Sequence, residues 1–397
     1  MTPETTYKIG LIFNANKVYD RQIIEGIGSY LQSSKINWNV FLEEDCVARV
    51  NSLDSWQVDG IIADFDNPRI VNAVTNRNLP CVGLGSSFSN IDEYPNAHYI
   101  ATDNHAVIEL AFKHLKDKGI KSFAFYGIKH NESHKWARER MKSFEQISVR
   151  EGFSYSIFLG GETRPASWSS DMQNLSVWIK SLPKQTGIIA VTDARARHCI
   201  EACMNLGIEV PDNISVVGID DDDIARNLCR ISLSSVSQGC VAMGMKAAQI
   251  MHQQLTAKYK LKSFKRILVP PSGLQERQST DFKSFKDPHV VQAMFFIRQN
   301  ATKGIKVQQV LDFVGVSRSN LEHKFQFECN CTIHAEIHRV KLVEACKLLQ
   351  ESNDSLKAVA SKAGYPSVQY MYAIFKKHFE KTPNEYRFEH QSKRQSD

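Results

Sequence analysis

A chain of 397 residues with 42% apolar and 23% charged residues has room for two or three packed domains, and no run of ~18 apolar residues exists that could span a membrane. Nine cysteines, odd in number and without any C-x-x-C pair, exclude a disulfide framework and a zinc site; Cys329 and Cys331, the one C-x-C, and Cys199 and Cys203, which share a helical face, read as free thiols. The net charge of +6 is confined to one end: from Lys283 onward there are 18 Lys+Arg against 12 Asp+Glu, and the first 282 residues balance. A neutral body with a basic tail is the footprint of a nucleic-acid module.

In chain order, "MTPETTYKIGLIF" lacks a basic segment followed by a long apolar stretch and a cleavage site, so a cytoplasmic protein is expected. Strand-like runs follow at 7–13, 38–44, 58–64, 79–85, 98–102, 121–127, 186–191 and 214–220. Amphipathic helical patterns such as "RQIIEGIGSYLQ" and "HAVIELAFKHLKDKG" alternate with them. Several strands are continuous apolar runs, as strands buried on both faces of a parallel sheet are. The expectation is an α/β body of two doubly wound lobes, roughly 7–102 and 120–235, with a ligand cleft at the carboxyl ends of the strands. Asp64, Asp66, Asp193 and Asp220 each follow a strand and can face that cleft. The loop "NANKVYDR" offers Asn16, Tyr19, Asp20 and Arg21. Carboxylates accept from adjacent sugar hydroxyls, guanidinium groups donate to them, and aromatic faces cover the C–H side of the ring. A plain helix cap is the competing role for each of these residues. It is preferred for Asp103, at the start of "DNHAVIEL", and Asp221–Asp223 are expected to be solvated.

The segment "PPSGLQERQSTDFKSFKDP" reads as a break, with a body at 1–275, a linker at 276–288 and an all-helical region at 289–397. Two stretches there repeat a pattern about 49 residues apart: "VQQVLDFVGVSRSNLEHKF" (307–325) and "LKAVASKAGYPSVQYMYAIF" (356–375). Each has an apolar helix ending at Gly315 or Gly364 and a capping Ser317 or Ser367. Each then places an apolar residue four positions on (Leu321, Met371) and a Phe eight on (Phe325, Phe375). That spacing packs two helices around a tight turn, a helix-turn-helix whose second helix enters the major groove. The outward candidates are Arg318, Ser319, Asn320, Glu322 and His323 in the first copy. In the second they are Ser367, Val368, Gln369, Tyr372, Ala373 and Lys376. Arg and Gln can read bases bidentately, Lys meets phosphate, and Val368 and Ala373 suit thymine methyls.

The tail "GYPSVQYMYAIFKKHFEKTPNEYR" resembles the AraC/XylS class of transcription regulators, with Thr382, Pro383, Tyr386 and Arg387 in its T-P-x-x-Y-R. Asn330 and Glu380 stand where that class usually has Gly, which implies turns built differently. The first ~280 residues resemble the sugar-binding core of LacI/GalR repressors and periplasmic sugar-binding proteins, through "DNHAVIELAFKHLKDKG", "AVTDARA", "VPDNISVVGIDD" and "RQST". With the first strand-like run starting at Tyr7, the N-terminal DNA-binding helices usual in that family are expected to be missing. The resemblance implies that Arg140 and Asp220 are ligand residues, that Tyr19 stacks on the sugar and that Ser86 supplies a polar contact. Thr192 replaces a usual Asn, so that contact is lost or passes to Asp193.

The full combination is similar to the bacterial xylose operon activators, and the chain is identified as a member of that group. The resemblance implies a pentose ligand such as D-xylose, double-stranded operator DNA, RNA polymerase and a second copy of the chain as partners, and no cofactor or metal. An enzyme is opposed by the absence of G-x-x-x-x-G-K-[ST], G-x-G-x-x-G and H-E-x-x-H motifs. A transport receptor is opposed by the missing signal segment and the basic tail.

Overall fold

The computed structural model describes residues 6–34, 36–43, 56–88, 91–129, 134–256, 264–281 and 287–394. Contacts divide the chain into two compact units, Met1–Phe282 and Lys283–Asp397.

The first unit alternates strand and helix. It begins with β1 (Tyr7–Ile12), α1 (Val18–Ser33), β2 (Trp38–Glu43), β3 (Gly60–Asp64), α2 (Pro68–Thr75), β4 (Cys81–Ser86) and β5 (His98–Thr102). The chain continues through α3 (Asn104–Asp117), β6 (Ser122–Ile128), α4 (Lys135–Glu151), β7 (Ser154–Gly160), α5 (Trp168–Ser181), β8 (Thr186–Ala190), α6 (Asp193–Asn205), β9 (Ile214–Ile219), α7 (Asp223–Leu228) and β10 (Ser234–Ser237). It closes with α8 (Cys240–Thr256), β11 (Arg266–Val269) and β12 (Gly273–Gln275). Two sheets result, ordered β11-β5-β4-β3-β1-β2 and β12-β10-β9-β8-β6-β7, and every described pairing but β10–β12 is parallel. Strands β3, β5, β8 and β9 are buried at every position, which is why they read as unbroken apolar runs. The strand expected at 38–44 is β2, with Glu44 outside the described residues.

The chain passes between the lobes three times: after β5, after β10, and between β11 and β12. Lobe 1 is completed by α8, which returns to lie on α1 in backbone contact. A Cβ on Gly26 would sit 2.0 Å from Val241 O, and one on Gly244 2.0 Å from Ile23 O. That approach buries Ile23, Ile27, Met243 and Ala247 against each other and the sheet. Gly26→Ala is therefore expected to lower unfolding free energy by about 1–3 kcal/mol, since neither helix can yield without unpacking the other. Urea titration of the variant checks this, and an unchanged midpoint would contradict it.

Residues 276–281, expected to open the linker, instead seal lobe 2. Ser279 and Thr280 are fully buried, Ser279 Oγ donates to Val216 O at 2.6 Å, and Arg277 pairs with Asp221 at 2.6 Å. Their polar composition suggested solvent, but their polar atoms bond internally. Asp221 is thus paired rather than solvated. Of the rest of the expected linker, 282–286 lie outside the described residues, while Asp287 caps and Pro288 opens the first helix of the second unit.

The second unit is all helical, comprising α9 (Pro288–Asn300), α10 (Val307–Val314), α11 (Arg318–Cys329), α12 (Ile333–Glu351), α13 (Leu356–Lys362), α14 (Val368–Phe379) and α15 (Pro383–Arg394). It has two cores. One packs α9, α10 and α11 onto the start of α12 through Ile297, Val310, Leu321, Phe325 and Ile337. The other packs α13 and α14 onto its end through Ala345, Leu349, Val359, Met371 and Phe375. With 19 residues rising ~1.5 Å each, α12 is a rod of about 28 Å joining the two.

Candidate functional site

In the first unit, the carboxyl ends of strands from both lobes converge on a cavity of about 580 Å³. Asn14, Asn16, Lys17 and Tyr19 follow β1, while Asp64 ends β3 and Asp66 follows it. Ser86 ends β4, and Thr102 and Asn104 lie at the end of β5. His134, Trp136 and Arg140 come from the β6–α4 side, Thr192 follows β8, Asp220 and Asp222 follow β9, and Gln238 follows β10. This is the position a ligand takes in open parallel sheets.

Arg140 is its centre. The side chain is 3% exposed, and its Nε donates to Asn104 Oδ1 at 2.9 Å, Nη1 to Val191 O at 2.7 Å and Nη2 to Gln238 Oε1 at 2.5 Å. Three of its five N–H bonds are used, leaving two for a ligand. Asn104 and Gln238 stand at the first and second crossings, so Arg140 ties two of the interlobe connections together. Gln238 Nε2 in turn donates to Asp220 Oδ1, and the guanidinium lies 5.0 Å over the Trp136 ring. Burial pushes the Asp220 carboxyl up to about 7, against the opposing pull of Arg140 and of the Gln238 bond. Its backbone has φ of 123° and Asp221 follows at 52°, a strained pair at the end of β9 that aims the Asp220 side chain inward.

Across the cleft, Asp64 Oδ2 accepts from Lys17 Nζ at 3.0 Å, and its Oδ1 accepts the Asp66 N–H at 2.9 Å. Asp66 Oδ1 accepts both the N–H and the hydroxyl of Ser86, at 2.8 and 2.6 Å, leaving Oδ2 to the cavity. Burial, with the Asp64 charge beside it, raises Asp66 to about 6. Burial would lower Lys17, but the carboxylates of Asp64, Asp20 and Asp66 outweigh it and hold the ammonium above its ordinary value. Tyr19 turns its ring to the cavity while its hydroxyl bonds Thr102 Oγ1 at 3.2 Å.

Three expected ligand residues are not on the cavity wall. Asp20 is fully buried beneath the first loop, where Oδ2 accepts the Asn14 N–H at 2.6 Å; burial and Asp64 raise its carboxyl to about 8. Arg21 donates to Ala15 O at 3.0 Å and faces Asp222 at 3.8 Å. Asp193 accepts from Ser235 Oγ at 2.6 Å and from the Asp222 N–H at 2.7 Å, so it braces the β9 turn instead. A carboxylate at a strand end can point up into the cleft or back into the turn, and sequence does not distinguish the two. Thr192 lines the cavity and caps α6 through the Arg195 N–H, and Asp103 caps α3 as expected. Asp222 caps α7 and lines the cavity, which leaves Asp223 as the solvated member of its run.

In the second unit the repeat has the expected form. Gly315 and Gly364 turn with φ of 74° and 76°, and Leu321, Phe325, Met371 and Phe375 are all fully buried. Arg318, Ser319, Asn320 and His323 are exposed on α11, and Gln369, Ala373 and Lys376 on α14, with Ser367 at its N-terminus. Glu322 is half-buried and holds Arg318 Nε at 2.9 Å. Ser367 also caps α14 through the Tyr370 N–H at 3.1 Å. Val368 and Tyr372 are partly covered, and Val368 packs on the second core, so it is less available than expected. Tyr370, not singled out from the sequence, is exposed beside Gln369.

The turns after α11 and α14 are not built differently from glycine-bearing ones. Asn330 and Glu380 adopt φ of 52° and 58°, the left-handed cap a glycine would take, with their N–H groups bonded to Gln326 O and Lys376 O. Left-handed backbone is costly for a residue with a Cβ. Glu380→Gly is expected to stabilise the second unit by about 0.5–1 kcal/mol in thermal melts; a loss of stability would show that the Glu380 side chain compensates.

Residues 8–105 match the family described as XylR N-terminal domain, 112–280 the periplasmic binding protein-like domain, and 311–388 the helix-turn-helix domain. The xylose operon regulatory protein of Escherichia coli (strain K12) is 48% identical, the match covering 96% of this chain and 97% of that one. Its namesake from Haemophilus influenzae is 45% identical, over 97% and 99%. A solved structure described as the xylose-binding transcription activator xylR aligns at 47% identity with a TM-score of 0.65, covering 96% and 98%. The lac repressor dimer bound to operator shares 21% identity at a TM-score of 0.54, over 70% of this chain and 95% of that one, a likeness of fold alone. The relatives at 45–48% identity are transcription regulators and not enzymes. At that identity over nearly the whole length, the chain belongs to the family of xylose operon regulatory proteins, helix-turn-helix regulators carrying a periplasmic-binding-protein-like domain.

Proposed function

We propose that this chain is a sugar-controlled transcription activator that takes D-xylose between its lobes and, as a homodimer in the cytoplasm, recruits RNA polymerase to genes of pentose uptake and catabolism. The observation that carries the reading is the Arg140–Gln238–Asp220 chain facing Asp66 and Asp64 across a cavity of about 580 Å³, in a protein 48% identical to a xylose operon regulatory protein. Asp220, Asp66 and Asp64 accept from sugar hydroxyls, Arg140, Lys17 and Asn104 donate, and Tyr19 and Trp136 cover the apolar face of the ring. Asn16 reaches in from the rim, and Ser86 fixes the Asp66 carboxylate. Sugar that binds better when both lobes touch it favours the closed arrangement by its differential affinity. On the other unit, Arg318, Asn320 and His323 with Ser319, and Gln369 with Ala373, face base edges, while Lys376 meets phosphate.

Titration calorimetry of the full chain against D-xylose, L-arabinose, D-ribose and D-glucose tests the ligand. D-Xylose is expected to bind tightest. A tenfold preference for another sugar would make this a regulator of the same architecture with a different inducer, and no heat with any sugar would overturn the reading.

A further inference from the structure

Where α12 passes the first turn of α14, basic groups gather with no acid among them. His334 and His338 are one helical turn apart and bring their Nε2 atoms to 3.1 Å, and the Tyr370 hydroxyl lies 3.4 Å from the same His338 nitrogen. Lys341 follows on α12. Its side chain is 5% exposed, and no hydrogen bond or ion pair meets it among the described residues. Burial holds its ammonium below the ordinary value. The charged groups acting on His338 are His334 and Lys341 from its own helix and His378 from α14, all basic; burial, then these, lower it. The carboxylate nearest in sequence, Glu336, is held in a two-pronged pair by Arg339, at 2.7 and 2.8 Å. Tyr370 lies beside Gln369, on the turn where the α14 N–H groups and dipole add further positive potential.

We propose that His334, His338, Lys341 and Tyr370 form a seat for one backbone phosphate of operator DNA at the second recognition helix. The inference rests on the DNA-binding reading above and adds a contact on the connecting helix rather than on a recognition helix. An ammonium at the tip of a buried stem, with no acid paired to it, gains a partner when an anion arrives. His338 Nδ1 is buried without a partner, and its Nε2 meets both His334 Nε2 and the Tyr370 hydroxyl. A phosphate oxygen set against the two Nε2 atoms accepts from both imidazoles. Lys341 also opposes a cation in the same place, which disfavours a metal ion between the histidines.

The test uses the full chain with saturating D-xylose and a duplex that it selects from a random-sequence pool. Affinity is measured over a salt series and on duplexes carrying a single neutral methylphosphonate at successive positions. His334→Gln is expected to weaken binding about tenfold on every sequence and to be insensitive to the one methylphosphonate that harms wild type. Lys341→Met should weaken binding roughly tenfold on every sequence, lower the salt slope by about one ion, and be insensitive to the one methylphosphonate that harms wild type. If both variants keep the wild-type affinity, salt slope and methylphosphonate profile, there is no seat. If Lys341→Met does not fold, as read from its melt, the exposed His334→Gln alone decides. Tighter binding with added zinc and loss with chelator would overturn the anion in favour of a metal. Failure of wild type to select any duplex would instead sink the DNA-binding reading itself.

Discussion

Asp220→Asn is expected to weaken sugar binding by about 100-fold or more while raising the melting temperature of the sugar-free protein by several degrees. The loss follows from chemistry at one atom. Asp220 Oδ1 is already engaged by Gln238, so the second oxygen faces the ligand, and in Asn that position becomes a donor confronting a hydroxyl. Two charge-assisted bonds to adjacent hydroxyls are together worth about 3 kcal/mol or more. The gain in stability follows from the raised carboxyl. Burial lifts Asp220 from its ordinary range to about 7, so the folded protein holds a proton that the unfolded chain releases near pH 4. Stability from this group therefore falls as pH rises from about 4 to about 7. The melting difference between Asn variant and wild type should grow from pH 5 to pH 8. Sugar affinity of wild type should rise over the same window, because hydroxyls donate to the ionised form. Equal melting curves at all pH values would show that the Arg140 charge fully offsets burial.

Phe375→Ala is expected to remove about 3–5 kcal/mol from the second unit and abolish operator binding, with sugar binding in the first unit unchanged. Phe375 is fully buried at the centre of the second helix-turn-helix, with Phe379 at 5.4 Å and Tyr386 at 5.6 Å between ring centres. The core it fills is separate from that of the first helix-turn-helix, so α14 should loosen while α10 and α11 hold. Calorimetric melting combined with xylose titration reads both halves. Lys376→Ala, on the exposed face, should reduce DNA affinity without moving the melting transition, and this separates contact from scaffold. A Phe375→Ala protein that still bound operator normally would mean that the first helix-turn-helix carries recognition alone.

The layered α/β body was legible because β3, β5, β8 and β9 are buried on both faces and cannot hide their apolar runs. Edge strand β7, with two exposed residues at its start and a mixed pattern, gave no such run, and the Ser-rich β10 and three-residue β12 are too short to show a period. The helix-turn-helix pair was legible through its repetition, since two copies share a Gly break followed by the same Ser, apolar and Phe spacing. Within the cleft, sequence singled out the charged strand ends but missed Asn104 and Gln238. Those two stand at the crossings, and amides at hinges follow no periodic signal. Lys17 was missed for a similar reason: its role depends on a side chain long enough to reach Asp64, 47 positions away. The inclusion of Asp20 and Asp193 shows the converse, because residue type and strand position were right while side-chain direction depended on backbone groups at Asn14 and Asp222.

The central claim is that sugar in one unit controls DNA binding by the other, and thermodynamic linkage gives it a quantitative form. The most direct test measures operator affinity with and without saturating D-xylose, and xylose affinity with and without saturating operator, under one buffer and salt. The account predicts that xylose tightens operator binding and that operator tightens xylose binding by the same factor. Operator affinity and DNA contact pattern both unchanged by xylose would contradict it.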